Sequence, residues 1–146
     1  MAEVKISELT AKGSNLDTSD LLIISKSDGS GGYDSKYITG AELANVTIVN
    51  KTASYTLVLA DANKLIEVNN GSANSLGVPL NATDAFPIGT QILIAQQGAG
   101  QTTITPVSGV TLRSSGGKLK ISAQYGVATL IKRATDEWYV AGDLTT

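Results

Sequence analysis

The sequence predicts an all-β protein: a small antiparallel β-sandwich or barrel preceded by an extended N-terminal arm. Apolar and polar residues alternate through most of the chain after residue 50, which is the pattern of strands with one buried face. The alternating runs are short, recur about every ten residues and are separated by Gly-rich turns, as in sandwiches and barrels. No amphipathic helix longer than a turn or two is visible after Ala44. We therefore assign residues 1–50 to the arm and residues 51–146 to the β domain.

The arm contains two short β-like runs and one signal for a helical turn. Residues 20–25 and 33–38 flank a Gly-rich loop, and Thr39 with Glu42 has the spacing of a capping box for a turn over residues 40–44. The apolar residues are too few for firm folding alone, so we expect the arm to become ordered on a partner. Its predicted partner-binding residues are Ile6, Leu9, Leu22, Ile24 and Leu43.

The β domain is predicted as a series of short strands. Pro79 lacks a ladder donor and indicates an edge strand or a strand end. Residues 97–101 are predicted to form a hairpin loop. Residues 118–122 alternate most regularly, with Leu119 and Ile121 facing inward. The predicted strands fall at residues 55–59, 65–69, 76–80, 92–95, 102–105, 110–112, 118–122, 127–131 and 137–141.

The last predicted strand separates the largest aromatic residues. Trp138 and Val140 share one face and are predicted for the core, so Tyr139 faces outward as a candidate for glycan or subunit contact. Four cations are expected on a solvated sheet face and hairpin end, or else opposite an acidic neighbouring subunit. They are Lys118, Lys120, Lys132 and Arg133.

Several strands are apolar on both faces. Leu93 is followed by Ile94, and Leu130 by Ile131. A lone sandwich needs only one apolar face on each strand, so the second face is expected to be covered by a neighbouring subunit, most simply in a homotrimer. The predicted subunit contacts are Val58, Leu93, Leu130 and Tyr139.

Composition narrows the partner classes. Charged residues form only 16% of the chain, below the usual quarter, and aromatic residues form 5%, so the core must be largely aliphatic. The net charge of −2 argues against nucleic acid as a partner, because phosphate binding needs clustered Lys and Arg. Apolar runs such as residues 21–24 are too short to span a bilayer, and no signal peptide is visible. We expect synthesis in the cytoplasm and no membrane partner.

The chain contains neither Cys nor His. This excludes thiol catalysis, disulfides, the usual zinc sites and any Ser-His-Asp triad. Asp61, Asp84 and Asp136 fall in predicted turns, where Asp side chains accept hydrogen bonds from backbone amides. We therefore predict no enzyme activity, no cofactor, and no catalytic, cofactor-binding or metal-binding residues.

The chain contains two sets of short motifs, each in a fixed order. The first set lies near the N-terminus and consists of Ile6-Ser-Glu-Leu9, Asp20-Leu-Leu-Ile-Ile24 and Thr39-Gly-Ala-Glu-Leu43. The second set consists of Tyr55-Thr-Leu57, Asp61-Ala-Asn-Lys-Leu-Ile66, Phe86-Pro-Ile-Gly-Thr-Gln-Ile92, Gly98-Ala-Gly100, Gly109-Val-Thr-Leu112, Gly116-Gly117, Tyr125-Gly-Val-Ala-Thr-Leu-Ile131 and Glu137-Trp138 with Gly142-Asp-Leu144.

Both sets resemble segments of structural proteins from tailed bacteriophages. The first resembles the leader of fibre and virion proteins, which often continues to a Pro where this chain has Thr10. The second resembles a module that recurs at the C-terminal end of fibre-like proteins. The resemblance implies a virion component that is commonly trimeric and binds other virion proteins of the capsid or tail.

The order of the two segments favours one place on the particle. The leader and the terminal module are joined without a long shaft, which a tail fibre that reaches a host usually needs. We therefore expect a capsid decoration protein or short head fibre. The alternative is a short tail fibre or tail-tip protein, and a module that binds host glycan in adhesion is the third class.

Overall fold

The computed structural model describes Leu21–Ser27, Tyr33–Thr39 and all residues from Asn45 to Thr146. By its internal contacts the chain divides into two compact units, Met1–Asn45 and Val46–Thr146.

In the first unit, strands β1 (Leu21–Ser27) and β2 (Tyr33–Thr39) form an antiparallel pair. The register places Leu21 opposite Thr39 and Ser27 opposite Tyr33. Both β-like runs that the sequence predicts here are therefore strands. The predicted helical turn over residues 40–44 lies outside the described residues, and the extended course of the arm stays a prediction.

The second unit is all-β, as the sequence predicts. Its strands are β3 (Ile48–Lys51), β4 (Tyr55–Thr56), β5 (Leu65–Val68), β6 (Asn74–Val78), β7 (Gln91–Gln96), β8 (Thr102–Pro106), β9 (Thr111–Ser114), β10 (Lys120–Ile121), β11 (Val127–Ala134), β12 (Glu137–Gly142) and β13 (Leu144–Thr145). They form a five-stranded sheet in the order β13-β10-β8-β6-β4 and a six-stranded sheet in the order β3-β5-β7-β11-β12-β9. Strand β3 begins before residue 51, the predicted start of the domain, because it pairs with β5.

The sheets are mixed, whereas the sequence predicted antiparallel pairing throughout. Strands β3, β5 and β7 are parallel neighbours in one sheet, and β4, β6 and β8 are parallel neighbours in the other. From β3 to β8 each strand therefore lies in the sheet opposite its predecessor, and the chain winds around the core. Antiparallel pairing follows at β10 and β11, whereas β12 is antiparallel to β11 and parallel to β9. Alternation cannot distinguish these arrangements, because a strand with one buried face has the same pattern in either.

The predicted hairpin loop at residues 97–101 is instead a corner that carries the chain from one sheet to the other. It stacks on the preceding corner: the amide of Gly98 donates to Val68 O at 3.0 Å, and that of Gly100 to Asn70 O at 2.8 Å. A Cβ at Gly98 or Gly100 would overlap the backbone of the corner below. Glycine is needed here for close backbone approach.

Inward side chains of both sheets meet in one core. The core is mainly aliphatic, as the low aromatic content predicts, and Trp138 lies within it, as predicted. Phe86 packs edge to face against Trp138 with ring centroids 5.4 Å apart. The most fully buried aliphatic members are Leu57, Ile66, Leu76, Val78, Ile92, Ile94, Ile104, Ile121 and Leu130.

Candidate interaction surface

The outer surface of the six-stranded sheet carries a row of apolar side chains. Neighbouring residues of a strand point to opposite faces, so the residues between core positions face outward. The pairing register continues the row from Ile48 on β3 through Leu65 on β5 to Leu93 on β7. It then reaches Thr129 on β11 and Ala141 on β12. Four of these five positions are therefore apolar on a face that the domain itself does not cover.

Shorter apolar pairs flank this row. Val127 lies opposite Ala95 on one side, and Ile131 lies opposite Tyr139 on the other. Ile48 is 59% exposed and Tyr139 is 47% exposed. Contiguous exposed apolar patches mark sites of association. The apolar members, here called the outer apolar face, are Ile48, Leu65, Leu93, Ala95, Val127, Ile131, Tyr139 and Ala141, and the polar residues Asn50, Glu67, Gln91 and Thr129 lie on the same surface.

The outer surface of the five-stranded sheet has the opposite character. Its paired positions carry mainly hydroxyl groups, which remain hydrogen-bonded to water without a partner protein. Its members, here called the hydroxyl face, are Thr56, Ser75, Gly77, Thr103, Thr105, Lys120 and Thr145. The domain thus presents one apolar and one polar sheet face.

Two of the predicted subunit contacts, Leu93 and Tyr139, lie on the outer apolar face. Val58 is exposed but lies in the segment that follows β4, outside both faces. Leu130 is fully buried in the core, and its neighbour Ile131 takes the outward position. Leu130 is therefore not available as a subunit contact, and the prediction is corrected: Ile131 is the outward residue of the pair. The sequence shows that one member of such a pair faces out, but only the register shows which.

The predicted contacts of the arm are only partly described. Leu22 and Ile24 lie in β1, where they are paired with Ile38 and Lys36 of β2. Ile6, Leu9 and Leu43 lie outside the described residues. The role of these five residues in partner binding stays a prediction.

A charged network borders the outer apolar face. Both carboxylate oxygens of Glu137 are engaged: Oε1 accepts from Arg113 Nε at 2.6 Å and Oε2 from Arg133 Nη1 at 2.5 Å. These hydrogen bonds, led by that from Arg113, hold the pKa of Glu137 below its ordinary value. The Arg133 guanidinium also lies 5.7 Å from the centroid of the Tyr139 ring. One acid between two cations leaves this border positively charged.

A groove of about 630 Å³ opens beside Tyr139. The cations Arg113 and Lys118 line it with the hydroxyl-bearing residues Ser114 and Ser115. Within the described residues, the buried Oγ of Ser114 has no hydrogen-bond partner. An aromatic ring beside cations and hydroxyl groups suits an acidic sugar or another small carboxylate. The glycan or subunit contact predicted for Tyr139 stays a prediction.

Lys132 is buried, whereas it was predicted as one of four cations on a solvated surface. It is 2% exposed and shares the inward face of β11 with Ala128 and Leu130. Its Nζ donates to Asn81 Oδ1 at 2.5 Å and lies 5.6 Å from the centroid of the Trp138 ring. Burial lowers the pKa of Lys132, and the nearby carboxylate of Asp136 acts in the opposite direction. The alternation of β11 was the signal for this burial.

The turn carboxylates bind backbone amides, but only Asp61 binds a nearby one, as predicted; the other two bind amides of distant segments. Asp61 Oδ2 accepts from Val58 N at 3.0 Å, and Asp84 Oδ1 accepts from Leu59 N at 2.8 Å. Asp136 Oδ1 accepts from Asn81 N at 2.7 Å. Each side chain thus fixes a turn or joins two loops.

Searches for metal sites, membrane helices and relatives gave no positive result. Within the described part of the chain, no group of three or more acidic side chains is placed to hold a metal ion. Among the same residues, no helix has the length and apolar character required to cross a membrane. No family model matches the chain, and no curated protein matches it.

Proposed function

We propose that this chain is a structural protein of a tailed-bacteriophage particle, located on the particle surface as a capsid decoration or short head fibre. The observation that carries the proposal is the outer apolar face: a single copy leaves Ile48, Val127 and Tyr139 exposed to water, and the two leucines of the face are half-buried. The motif resemblance to phage proteins supplies the biological setting. Both features fit a protein whose role is to assemble.

Association through this face is energetically reasonable. Burial of one Leu, Ile or Val side chain contributes roughly 1.5–3 kcal/mol. Loss of translational and rotational freedom costs about 4–15 kcal/mol. Val127, Ile131 and Tyr139 are exposed and Leu93 is half-buried in a single copy, so each contributes only the share of this energy that corresponds to its remaining exposure, and burial of the whole face by every copy is needed to offset the cost. In the proposed trimer, three copies turn this face towards a common axis.

The arm is the proposed attachment segment. A pair of strands such as β1 and β2 is at best marginally stable alone in water. Binding to a capsid or tail protein would supply the missing contacts, so the arm gains stability where the particle offers a partner. The β domain then projects from the attachment point.

The alternative function is a short tail fibre or tail-tip protein that binds host glycan. The groove beside Tyr139 favours it, because Arg113 and Lys118 give that site a positive charge. Acidic sugars would be the expected ligands. In this version the same assembly lies on the tail, and the groove faces the host.

The location on the particle is tested by immunogold electron microscopy. Gold-labelled antibodies against the purified chain are applied to particles released by a strain that carries the gene, with particles from a deletion strain as control. Label on the head is the expected result, whereas label on the tail supports the alternative. Absence of the chain from purified particles by mass spectrometry, together with absence of label, contradicts both.

A further inference from the structure

Three side chains meet where the loop after β6 contacts the β11–β12 hairpin. Lys132 Nζ donates to the carboxamide oxygen of Asn81 at 2.5 Å. Asp136 is tied to the same residue, because its Oδ1 accepts from Asn81 N at 2.7 Å. The amine and the carboxamide are therefore in contact, and the carboxylate is held beside them by the backbone of Asn81.

The Lys132 side chain is more deeply buried than is usual for a lysine. Lys132 is 2% exposed, and its Nζ lies 5.6 Å from the centroid of the Trp138 ring. Trp138 in turn packs against Phe86 in the core. Burial lowers the pKa of Lys132, which raises the share of its neutral, nucleophilic form.

We propose that Lys132 and Asn81 join in an intramolecular isopeptide bond that the folded chain forms by itself. The fold holds the two reactants in contact, which is the main requirement for a condensation of this kind to become fast. The inference does not depend on the proposed virion function.

The step balances without an oxidant or a cofactor. The neutral Nζ of Lys132 attacks the carboxamide carbon of Asn81, and a new C–N bond forms. The attacking nitrogen passes one proton to the departing NH₂ group, and the carboxylate of Asp136, which is bound to Asn81 N, is the base that we assign to this transfer. The old C–N bond breaks, and one molecule of ammonia leaves.

The bond would tie together distant parts of the sequence. Its partners are 51 residues apart. It would fasten the loop after β6, in the five-stranded sheet, to β11, in the six-stranded sheet. Closing a long loop covalently restricts the unfolded chain, so the bond would resist thermal and mechanical opening of the two sheets.

The test is the intact mass of the purified full-length chain. The expected mass is lower than that of the sequence by one ammonia, and proteolysis should release a branched peptide that contains both Asn81 and Lys132. Lys132→Met keeps an unbranched side chain beside Trp138 and should have the full mass, as should Asn81→Ala. Asp136→Asn should fold but form the bond more slowly, and Asp136→Glu should restore the rate.

Two results would overturn the inference. One is a folded wild-type chain that keeps its full mass after prolonged incubation. The other is loss of ammonia without the branched peptide, since ring closure at an Asn also releases ammonia. Equal rates of ammonia loss in Asp136→Asn and wild type would remove Asp136 from the step.

Discussion

The outer faces of the two sheets are built by the same alternation, yet they present different chemistry to solvent. The six-stranded sheet shows Leu93 and Ile131, whereas the five-stranded sheet shows Thr103 and Thr105. A threonine hydroxyl stays hydrogen-bonded in water, but an exposed Leu or Ile is stabilised only when it leaves water. The sheets share a core but differ in their outer chemistry, and we propose that only the apolar face associates with other copies of the chain.

Replacing an apolar residue on the association face should have the largest effect. Because Leu93 is already half-buried in a single copy, Leu93→Lys removes less than the roughly 1.5–3 kcal/mol of full burial from each subunit contact, and each 1.4 kcal/mol lost weakens the trimer about tenfold. Thr105→Lys adds the same charge to the hydroxyl face and should leave assembly unchanged. Val58→Lys, outside both faces, should resemble the control. Sedimentation velocity gives the comparison, and equal dissociation by all three variants would refute the difference between faces.

Inward and outward neighbours on β11 should separate stability from assembly. Leu130→Ala removes a fully buried side chain and should lower the free energy of unfolding by about 2–5 kcal/mol. Ile131→Ala should cost less than 1 kcal/mol in a monomer but weaken the trimer. Urea denaturation and sedimentation of the two variants check this. Greater loss of folding stability in Ile131→Ala would contradict the assigned register.

The stacked corner links the two sheets, so damage there should affect both faces together. Gly100→Ala forces a Cβ into the backbone of Ser72 and should destabilise the fold by about 1–3 kcal/mol. Gly71→Ala is the matched control, because nothing lies within 4 Å of the added Cβ. Thermal denaturation measures the difference. Equal melting temperatures for the two variants would show that the corners do not stack as described.

Alkaline pH should act on the edge of the five-stranded sheet. Burial and the hydrogen bond to Asp61 raise the pKa of Tyr55 from 10.0 to about 12. The folded state therefore favours the neutral phenol; this contribution is complete below pH 10 and is lost as the pH rises through 12. Tyr55→Phe should reduce the decline of stability over that range. An unchanged decline in the variant would exclude Tyr55 as its source.

Acid should act on the other sheet, with the smallest effect. Arg113 and Arg133 lower the pKa of Glu137 from its ordinary value of 4.5. The ionised carboxylate therefore stabilises the folded state at pH values above 4.5. That contribution is lost as the pH falls through the lower value of the folded state. Because the pair is exposed, salt should diminish the effect. Glu137→Gln should flatten the acid limb of a denaturation series at low salt, and an identical limb would contradict the network.

The sequence predicted the β class and most strands because alternation is a local signal. It did not predict that β5 and β7 run parallel, since pairing partners are chosen by long-range contacts. Gly98 and Gly100 were recognised as a loop, but the need for glycine comes from the corner beneath them. A hairpin loop and a corner between sheets have the same composition.

For the candidate site, the sequence identified Leu93 and Tyr139 correctly as outward residues. The sequence predicted Leu130 as the contact and not Ile131, because two adjacent apolar residues do not show which of them faces the core. Lys132 was predicted to lie in solvent because it is charged, although the alternation along β11 places its side chain on the inward face. The partner Asn81 lies 51 residues away, and no local pattern connects the two.

We propose that the outer apolar face joins copies of this chain into a trimer. Sedimentation equilibrium of the unmodified full-length protein at micromolar concentration tests it most directly. We expect a species with three times the chain mass of 15.1 kDa, and Thr105→Lys should form the same species. A stable monomer of the unmodified protein under these conditions would contradict it.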